Sequence, residues 1–150
     1  MRNKEKNTLI YLMGAGRSGT TALATFLGNN KEIQNIGEMH QFFEHVDEKK
    51  ECSCGKILNE CEFWRNKIND FGTDALINNR ELSVKMESHS SIIKHLLHLF
   101  SKKEIKQYNK IQSQLLNTIH SDSKKPFLID SAKYIGRALA LNDIKQLDLK

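Results

Sequence analysis

The sequence predicts an α/β fold, in which a mostly parallel sheet carries flanking helices, and three observations indicate it. Residues 8–13 are a short, nearly continuous apolar run of β-formers, which is typical of a buried parallel strand. A glycine-rich turn and a helical pattern follow this run, and residues 33–37 then have the pattern of a second strand. Together these segments form a βαβ unit, which implies parallel strands and a right-handed crossover.

The first helix is expected to begin near Gly19 or Thr20 and to end at the stop signals Gly28 and Asn29. Its apolar residues predict a face turned toward the sheet. We expect that face to bury four side chains: Ala22, Leu23, Phe26 and Leu27.

The second half of the chain predicts more helices and two further strands. A short helix is expected at residues 62–71. Between residues 90 and 119 the apolar residues recur at intervals of three and four, which predicts two amphipathic helices that cover the sheet, with a break near Ser101. A polar loop then leads into a third strand at residues 127–130. A helical pattern and a fourth strand at residues 146–150 follow. Doubly wound sheets bind ligands in the turns beyond the carboxyl ends of their strands. Because no such turn follows the fourth strand in this sequence, we expect a domain truncated after it.

Composition limits the classes of protein and partner. A chain of 150 residues fits one domain, and its net charge of +5 favours an anionic partner such as a phosphate or sulfate ester. Lysines spread along the chain and few aromatic residues argue against nucleic acid. No segment approaches the ~18 consecutive apolar residues of a membrane helix, and the first apolar run is too short for a signal peptide, so we expect a cytoplasmic protein.

The glycine-rich segment after the first strand fits two phosphate-binding patterns. Gly14, Gly16 and Gly19 spell G-x-G-x-x-G, the pattern of a dinucleotide-binding turn. Glu38 lies close to the distance at which such a fold places its ribose-binding acid. The first and third glycines also give the G-x-x-x-x-G frame of a nucleotide P-loop, although Thr20 stands where that loop has its lysine.

Arg17 places a positive charge inside this turn and thereby changes its chemistry. A dinucleotide turn binds a diphosphate through backbone amides, whereas a P-loop nucleotidase uses a lysine on the phosphates and a hydroxyl on Mg²⁺. The present turn combines backbone amides, a helix N-terminus and the hydroxyls of Thr20 and Thr21 with a guanidinium. This combination favours a single terminal phosphate that carries a reactive group. A dinucleotide turn with an incidental arginine and a fortuitous glycine-rich turn remain the alternatives.

Three stretches of the chain, taken together, resemble a known family. Residues 14–23, GAGRSGTTAL, resemble the 5′-phosphosulfate-binding loop of sulfotransferases that use 3′-phosphoadenosine 5′-phosphosulfate (PAPS). Residues 52–64, CSCGKILNECEFW, and residues 128–141, LIDSAKYIGRALAL, resemble two further stretches of the bacterial branch, in the same order. The resemblance implies a P-loop-like sheet and an enzyme that moves a sulfuryl group to a hydroxyl or amine of a small-molecule or carbohydrate acceptor, with no metal required.

The resemblance also implies a role for several residues. Glu38 is the expected general base, His40 is the alternative, and side chains that merely line a loop are the remaining possibility. Lys133 is expected near the sulfate and the acceptor, with Asp130 orienting it, and the alternative is a solvated lysine at a helix start. Arg17 is expected to neutralise the charge that develops on the bridging oxygen as the S–O bond breaks. The residues expected to hold the phosphosulfate are Gly16, Arg17, Ser18, Gly19, Thr20 and Thr21.

Family members bind the donor's 3′-phosphate through an Arg and a Ser that follow a later strand. No such segment follows Leu149 and Lys150, so we expect an incomplete sulfotransferase domain whose activity as an isolated chain is open. Two rival functions remain. One is a Rossmann-type NAD(P)-binding oxidoreductase, and the other is a non-catalytic remnant that only binds a nucleotide.

All three cysteines lie in a charged excursion at residues 47–61. The spacing C-x-C, then six residues, then C is not that of a standard zinc finger, and an odd count does not suggest a secreted disulfide framework. Reduced thiols are the favoured interpretation. A zinc site completed by His40 or His45 and a disulfide are the alternatives.

Overall fold

The computed structural model describes residues 7–150, and within them it contains one four-stranded sheet. All strand pairs are parallel, and the strand order is β2-β3-β1-β4. The strands are β1 (Asn7–Met13), β2 (Ile33–Gly37), β3 (Phe127–Lys133) and β4 (Leu147–Leu149). The predicted α/β class and the parallel sheet are therefore confirmed, and each of the four predicted strands is present.

Residues 7–150 also contain eight α-helices. They are α1 (Thr20–Gly28), α2 (Phe42–Asp47), α3 (Arg65–Phe71), α4 (Thr73–Ile77), α5 (Arg80–Glu87), α6 (Ile92–Leu96), α7 (Lys102–Ser123) and α8 (Ile135–Asn142). Short 3₁₀ turns lie at Met39–Gln41, Leu58–Glu60 and His89–Ser91. Sequence periodicity did not predict α2, α4 or α5. Within residues 7–150, no helix has both the length and the apolar character needed to cross a membrane.

The predicted break near Ser101 has a local cause. The Ser101 hydroxyl accepts a hydrogen bond from the Glu104 backbone N–H, and the Glu104 carboxylate accepts one from the Ser101 backbone N–H. This reciprocal capping box satisfies two backbone donors at the start of α7. It starts the longest helix of the fold, which buries Leu115, Leu116 and Ile119 in the main core together with Leu9 of β1.

The predicted buried face of α1 is wrong. Ala22 and Leu23 are exposed, Phe26 is 74% exposed and Leu27 is half-buried, whereas Ala24 is completely buried. The physical reason is close packing of the small residues that recur every four positions along this helix. A Cβ at Gly28 would lie 2.7 Å from Cβ of Asn35 on β2, so the helix approaches the sheet too closely for large side chains to lie between them.

The expectation that the segment before Ser101 covers the sheet is also wrong. In α6, Ile93 and Leu96 are 66% and 65% exposed, and Leu97, which follows the helix, is 62% exposed. This helix has only five residues and packs near α8 rather than on the strands. The 22-residue α7 alone supplies the amphipathic cover that the periodicity predicted for two helices.

Candidate functional site

The loop between β1 and α1 lies at the carboxyl edge of the parallel sheet, where this fold class binds ligands. Gly19 has φ of +82°, a left-handed conformation that glycine adopts without steric cost, and it directly precedes the first turn of α1. Gly14 is closely enclosed, because a Cβ there would lie 2.7 Å from Oγ of Ser18. The loop therefore folds back on itself and turns its backbone toward the start of the helix.

Several polar groups of this loop are available to a ligand. Within residues 7–150, the backbone N–H groups of Gly16, Arg17 and Gly19 donate no hydrogen bond. Thr20 is 8% exposed, and its buried hydroxyl oxygen has no hydrogen-bond partner among the described residues. Buried polar atoms are nearly always paired, so the unpaired Thr20 hydroxyl is an exception, and free N–H groups at a helix N-terminus favour anions in general.

Glu38 joins the ends of two strands and the start of α1. Its Oε1 accepts a hydrogen bond of 2.5 Å from Nζ of Lys133 and one of 3.2 Å from Oγ1 of Thr21. Gly37, with φ of +75°, makes the turn that carries Glu38 off the end of β2. The side chains of Lys133 and Glu38 are 20% and 27% exposed, so solvent or a ligand reaches both. Glu38 Oε2 forms no hydrogen bond within the described part of the chain and is available to a reacting group.

The two basic residues at this edge share an unusual backbone conformation. Arg17 and Lys133 have φ of +62° and +71°, although both are ordinary L-residues with a Cβ. Other non-glycine residues with positive φ in residues 7–150 lie just after helices, as Lys124 does at the end of α7. A left-handed conformation is common at a helix end but costs energy elsewhere. Its occurrence in both basic residues of this edge supports a functional role for them.

The expectation that Asp130 orients Lys133 is wrong. Asp130 is completely buried, and its carboxylate accepts hydrogen bonds from Nε of Arg137 at 2.9 Å and from the backbone N–H of Ala132 at 2.9 Å. Side chains alternate between the two faces of a strand, and Asp130 and Lys133 are three positions apart, so regular alternation alone would direct them to opposite faces. Glu38, rather than Asp130, is the carboxylate that positions Lys133.

Asp130 belongs instead to a buried network around Arg137. Nη1 of Arg137 donates to Oε1 of Glu87 at 2.5 Å, and that oxygen also accepts from the hydroxyl of Tyr108 at 2.8 Å and from Nε2 of Gln112 at 3.2 Å. Burial raises the pKa of Glu87, against the opposing effect of Arg137. Oε2 of Glu87 has no hydrogen-bond partner in residues 7–150. An arginine inside the apolar segment IGRALAL was the sequence signal of this network.

His40, the alternative base, lies in the 3₁₀ turn that follows Glu38. Its ring lies 4.3 Å, centroid to centroid, from the ring of Tyr134, and its Nδ1 is buried without a partner among the described residues. Burial lowers the pKa of His40 from 6.5 to about 4, so its imidazole is neutral at pH 7. His40 lines a cavity of about 260 Å³ together with Glu87 and Tyr134.

The structure brings some of the predicted residues together and separates others. Thr21, Glu38 and Lys133 form one hydrogen-bonded group. The side chain of Arg17 is exposed in the adjacent loop, within which the Ser18 backbone N–H donates to the Ala15 carbonyl at 3.3 Å.

The cysteines converge a short distance from this group. The Sγ atoms of Cys52, Cys54 and Cys61 all lie within 4.8 Å of one another. They line a cavity of about 650 Å³ that Glu38 also lines. Sequence spacing did not favour such a cluster, because the approach of Cys61 depends on the fold of the intervening turn.

Comparisons of the chain with protein-family models, with curated proteins and with solved structures give no match. The candidate function therefore rests on the residues and geometry of the site.

Proposed function

We propose that this chain is a PAPS-dependent sulfotransferase domain with a P-loop-like sheet, which transfers a sulfuryl group to a hydroxyl or amine acceptor in the cytoplasm. The observation that carries the proposal is the meeting of Thr21, Glu38 and Lys133 beside the Gly14–Gly19 loop. Three elements that are distant in sequence contribute a hydroxyl, a carboxylate and an ammonium to one edge of the sheet. The sequence resemblance names the same residues.

In this proposal the loop binds the 5′-phosphosulfate end of the donor. The amides of Gly16, Arg17 and Gly19 and the buried hydroxyl of Thr20 supply the hydrogen bonds, and the dipole of α1 favours the negative charge. The Arg17 guanidinium neutralises the charge that grows on the bridging oxygen. Hydrogen bonds to charged oxygens contribute roughly 1.5–3 kcal/mol each, so several together are enough for specific binding.

The transfer itself needs one base and one leaving group. The acceptor oxygen or nitrogen forms a bond to sulfur, the bond between sulfur and the bridging oxygen breaks, and adenosine 3′,5′-bisphosphate leaves. Glu38 takes the acceptor proton on Oε2, while Lys133 and Thr21 hold Oε1 and so fix the carboxylate. Lys133 also stabilises negative charge on the sulfuryl oxygens.

The strand order argues against the rival dinucleotide-binding function. In the common dinucleotide-binding fold the first two strands are neighbours, and the acid at the end of the second strand reaches the ribose. Here β3 lies between β1 and β2. Glu38 is therefore one strand further from the loop and is held by Lys133 of the intervening strand.

Thermal denaturation of the chain with adenosine 3′,5′-bisphosphate, NAD or GTP, each with and without Mg²⁺, tests the proposal. A ligand present at 100 times its Kd adds about 2.7 kcal/mol to the free energy of unfolding, which corresponds to a shift of several degrees in a domain of this size. We expect a shift with the bisphosphate alone, and none that depends on Mg²⁺. A shift with NAD but not with the bisphosphate, or no shift with any of the three, would contradict the proposal.

A matched pair of variants assigns the binding to the loop. Arg17→Gln is expected to abolish the shift caused by PAPS, because it removes the only positive charge that residues 14–19 contain. Arg65→Gln, which removes the same charge from an exposed position in α3, is the control and should keep the shift. Equal shifts in the two variants would exclude Arg17 from the assigned role.

A further inference from the structure

We propose that Cys52, Cys54 and Cys61 form a zinc-binding centre of three thiolates, with the fourth position of the ion facing the cavity that Glu38 lines. This centre goes beyond the proposed sulfuryl transfer, which needs no metal, and it does not rest on that function. The observation behind it is the convergence of three sulfur atoms from two separate segments, all within 4.8 Å of one another.

The backbone brings these thiols together without help from a metal. Glu51 and Ile57 form an isolated antiparallel bridge, and inside it the Cys52 backbone N–H donates to the Lys56 carbonyl at 2.8 Å. The Gly55 N–H donates to the Cys52 carbonyl at 2.8 Å, and Gly55 has φ of +81°. This tight hairpin places two cysteines on one turn and is the kind of local structure that presents paired ligands.

The third cysteine comes from the 3₁₀ turn that follows the hairpin. The Cys61 backbone N–H donates to the Ile57 carbonyl at 3.0 Å, which returns the chain toward the hairpin. Cys61 is 4% exposed and belongs to the main core, so its position is set by packing. Its Sγ lies 3.5 Å from Sγ of Cys52.

These distances fit a tetrahedral ion with sulfur ligands. A Zn–S bond of about 2.3 Å requires sulfur atoms about 3.8 Å apart at the corners of a tetrahedron. The sulfur atoms lie close to that separation, at 3.5 Å for one pair and at most 4.8 Å for the others. A disulfide would join only two of the three sulfurs, whereas a metal ion would bind all three. Thiolates are soft ligands, which favours zinc over magnesium or calcium.

The position of the centre suggests what it does. Cys52 and Cys54 line the cavity of about 650 Å³ on which Glu38, His45 and Trp64 also lie. An ion that joins the hairpin to Cys61 would fix the hairpin against the core and hold one wall of that cavity in place. Three thiolates leave one position of the ion open toward the cavity.

Zinc analysis and Co²⁺ titration of the complete chain, purified under reducing conditions, test this centre. We expect one zinc per chain, and a thiolate-to-cobalt charge-transfer absorption that saturates at one Co²⁺ per chain. Cys54→Ser changes an exposed residue and should leave the fold intact while weakening zinc binding at least about 10-fold. Ser53→Ala, which alters the residue between two of the cysteines, is the control and should bind zinc like the wild type. Absence of stoichiometric metal from the reduced chain, or equal affinities for Cys54→Ser and the wild type, would overturn the proposal.

Discussion

Lys133 and Arg137 lie four residues apart in the chain, yet the ion pairs that they form differ in their exposure to solvent. Lys133, at the end of β3, pairs with Glu38 where both side chains are partly exposed. Arg137, in α8, pairs with Asp130 and Glu87 where all three side chains are almost or completely buried. Each basic residue pairs with a carboxylate from a distant segment, Glu38 for Lys133 and Glu87 for Arg137. Only the first pair is accessible to a ligand.

The difference in exposure distinguishes an ion pair that stabilises the fold from one that a ligand can reach. Burial would lower the pKa of Arg137, but Glu87 and Asp130 outweigh it and raise that pKa well above the usual value, so the guanidinium stays charged. A buried pair of this kind holds elements together, because removing one charge leaves the others without compensation. An accessible ion pair contributes little to the free energy of unfolding, and either of its partners can bind a ligand in place of the other.

The largest expected effect comes from breaking the buried network. Arg137→Met should lower the free energy of unfolding by about 3–5 kcal/mol, because Asp130 and Glu87 would remain buried without a cation. Urea denaturation of the purified variant measures this loss. A loss below about 1 kcal/mol would show that the two buried carboxylates do not need Arg137 and would remove the contrast with Lys133.

His40, two residues after Glu38 in the sequence, provides a test of stability against pH. Because burial lowers its pKa from 6.5 to about 4, the unfolded chain takes up a proton on this ring as the pH falls through that window, and the folded chain does not. The free energy of unfolding should therefore fall by up to about 3 kcal/mol between pH 6.5 and pH 4, with no contribution above that window.

The matched variant for this test is His40→Phe, which keeps an aromatic ring against Tyr134 and removes the titrating group. Denaturation of both proteins at several pH values isolates the effect of His40 from that of other groups. The difference between wild type and variant should change steadily from pH 6.5 to pH 4. Parallel stability curves would contradict the burial of this imidazole.

Two glycines, Gly136 beside Arg137 and Gly16 in the loop before α1, extend the comparison to packing. A Cβ at Gly136, beside Arg137, would meet the Ser88 carbonyl oxygen and Oγ of Ser91, and would lie 2.7 Å from the Glu87 carbonyl oxygen. Gly136→Ala should cost about 1–3 kcal/mol. A Cβ at Gly16 would meet no atom within 4 Å, so Gly16→Ala should change stability by less than about 0.5 kcal/mol. Thermal denaturation of both variants checks this order, and equal midpoints would contradict it.

Breaking the accessible ion pair is expected to have a small effect on stability. Lys133→Met should change the free energy of unfolding by less than about 1 kcal/mol, because Glu38 keeps its hydrogen bond to Thr21 and is partly exposed to water. The measurement is the same urea denaturation as for Arg137→Met. A loss as large as that of the buried variant would mean that the Glu38–Lys133 pair is part of the scaffold.

Local patterns predicted much of this molecule. The apolar run that became β1, the glycine turn, the start of α1 at Thr20 and the capped start of α7 after Ser101 all depend on residues close together in sequence. Backbone propensity, capping and β-strand composition act over a few residues, so they are visible in the chain itself. Each of the four strands was predicted for this reason.

What the tertiary structure decided is which side chains meet. Small residues let α1 pack close to β2, which left Phe26 exposed. Asp130 paired with Arg137 and Lys133 paired with Glu38, and the hairpin and Cys61 brought three sulfur atoms to one place. The order β2-β3-β1-β4 set Lys133 beside Glu38, although 95 residues separate them in the chain. Such contacts depend on packing summed over the whole core rather than on local propensity. The sequence by itself determined the four strands and the glycine-rich loop, because these depend on neighbouring residues, and the fold alone determined the partner of each charge.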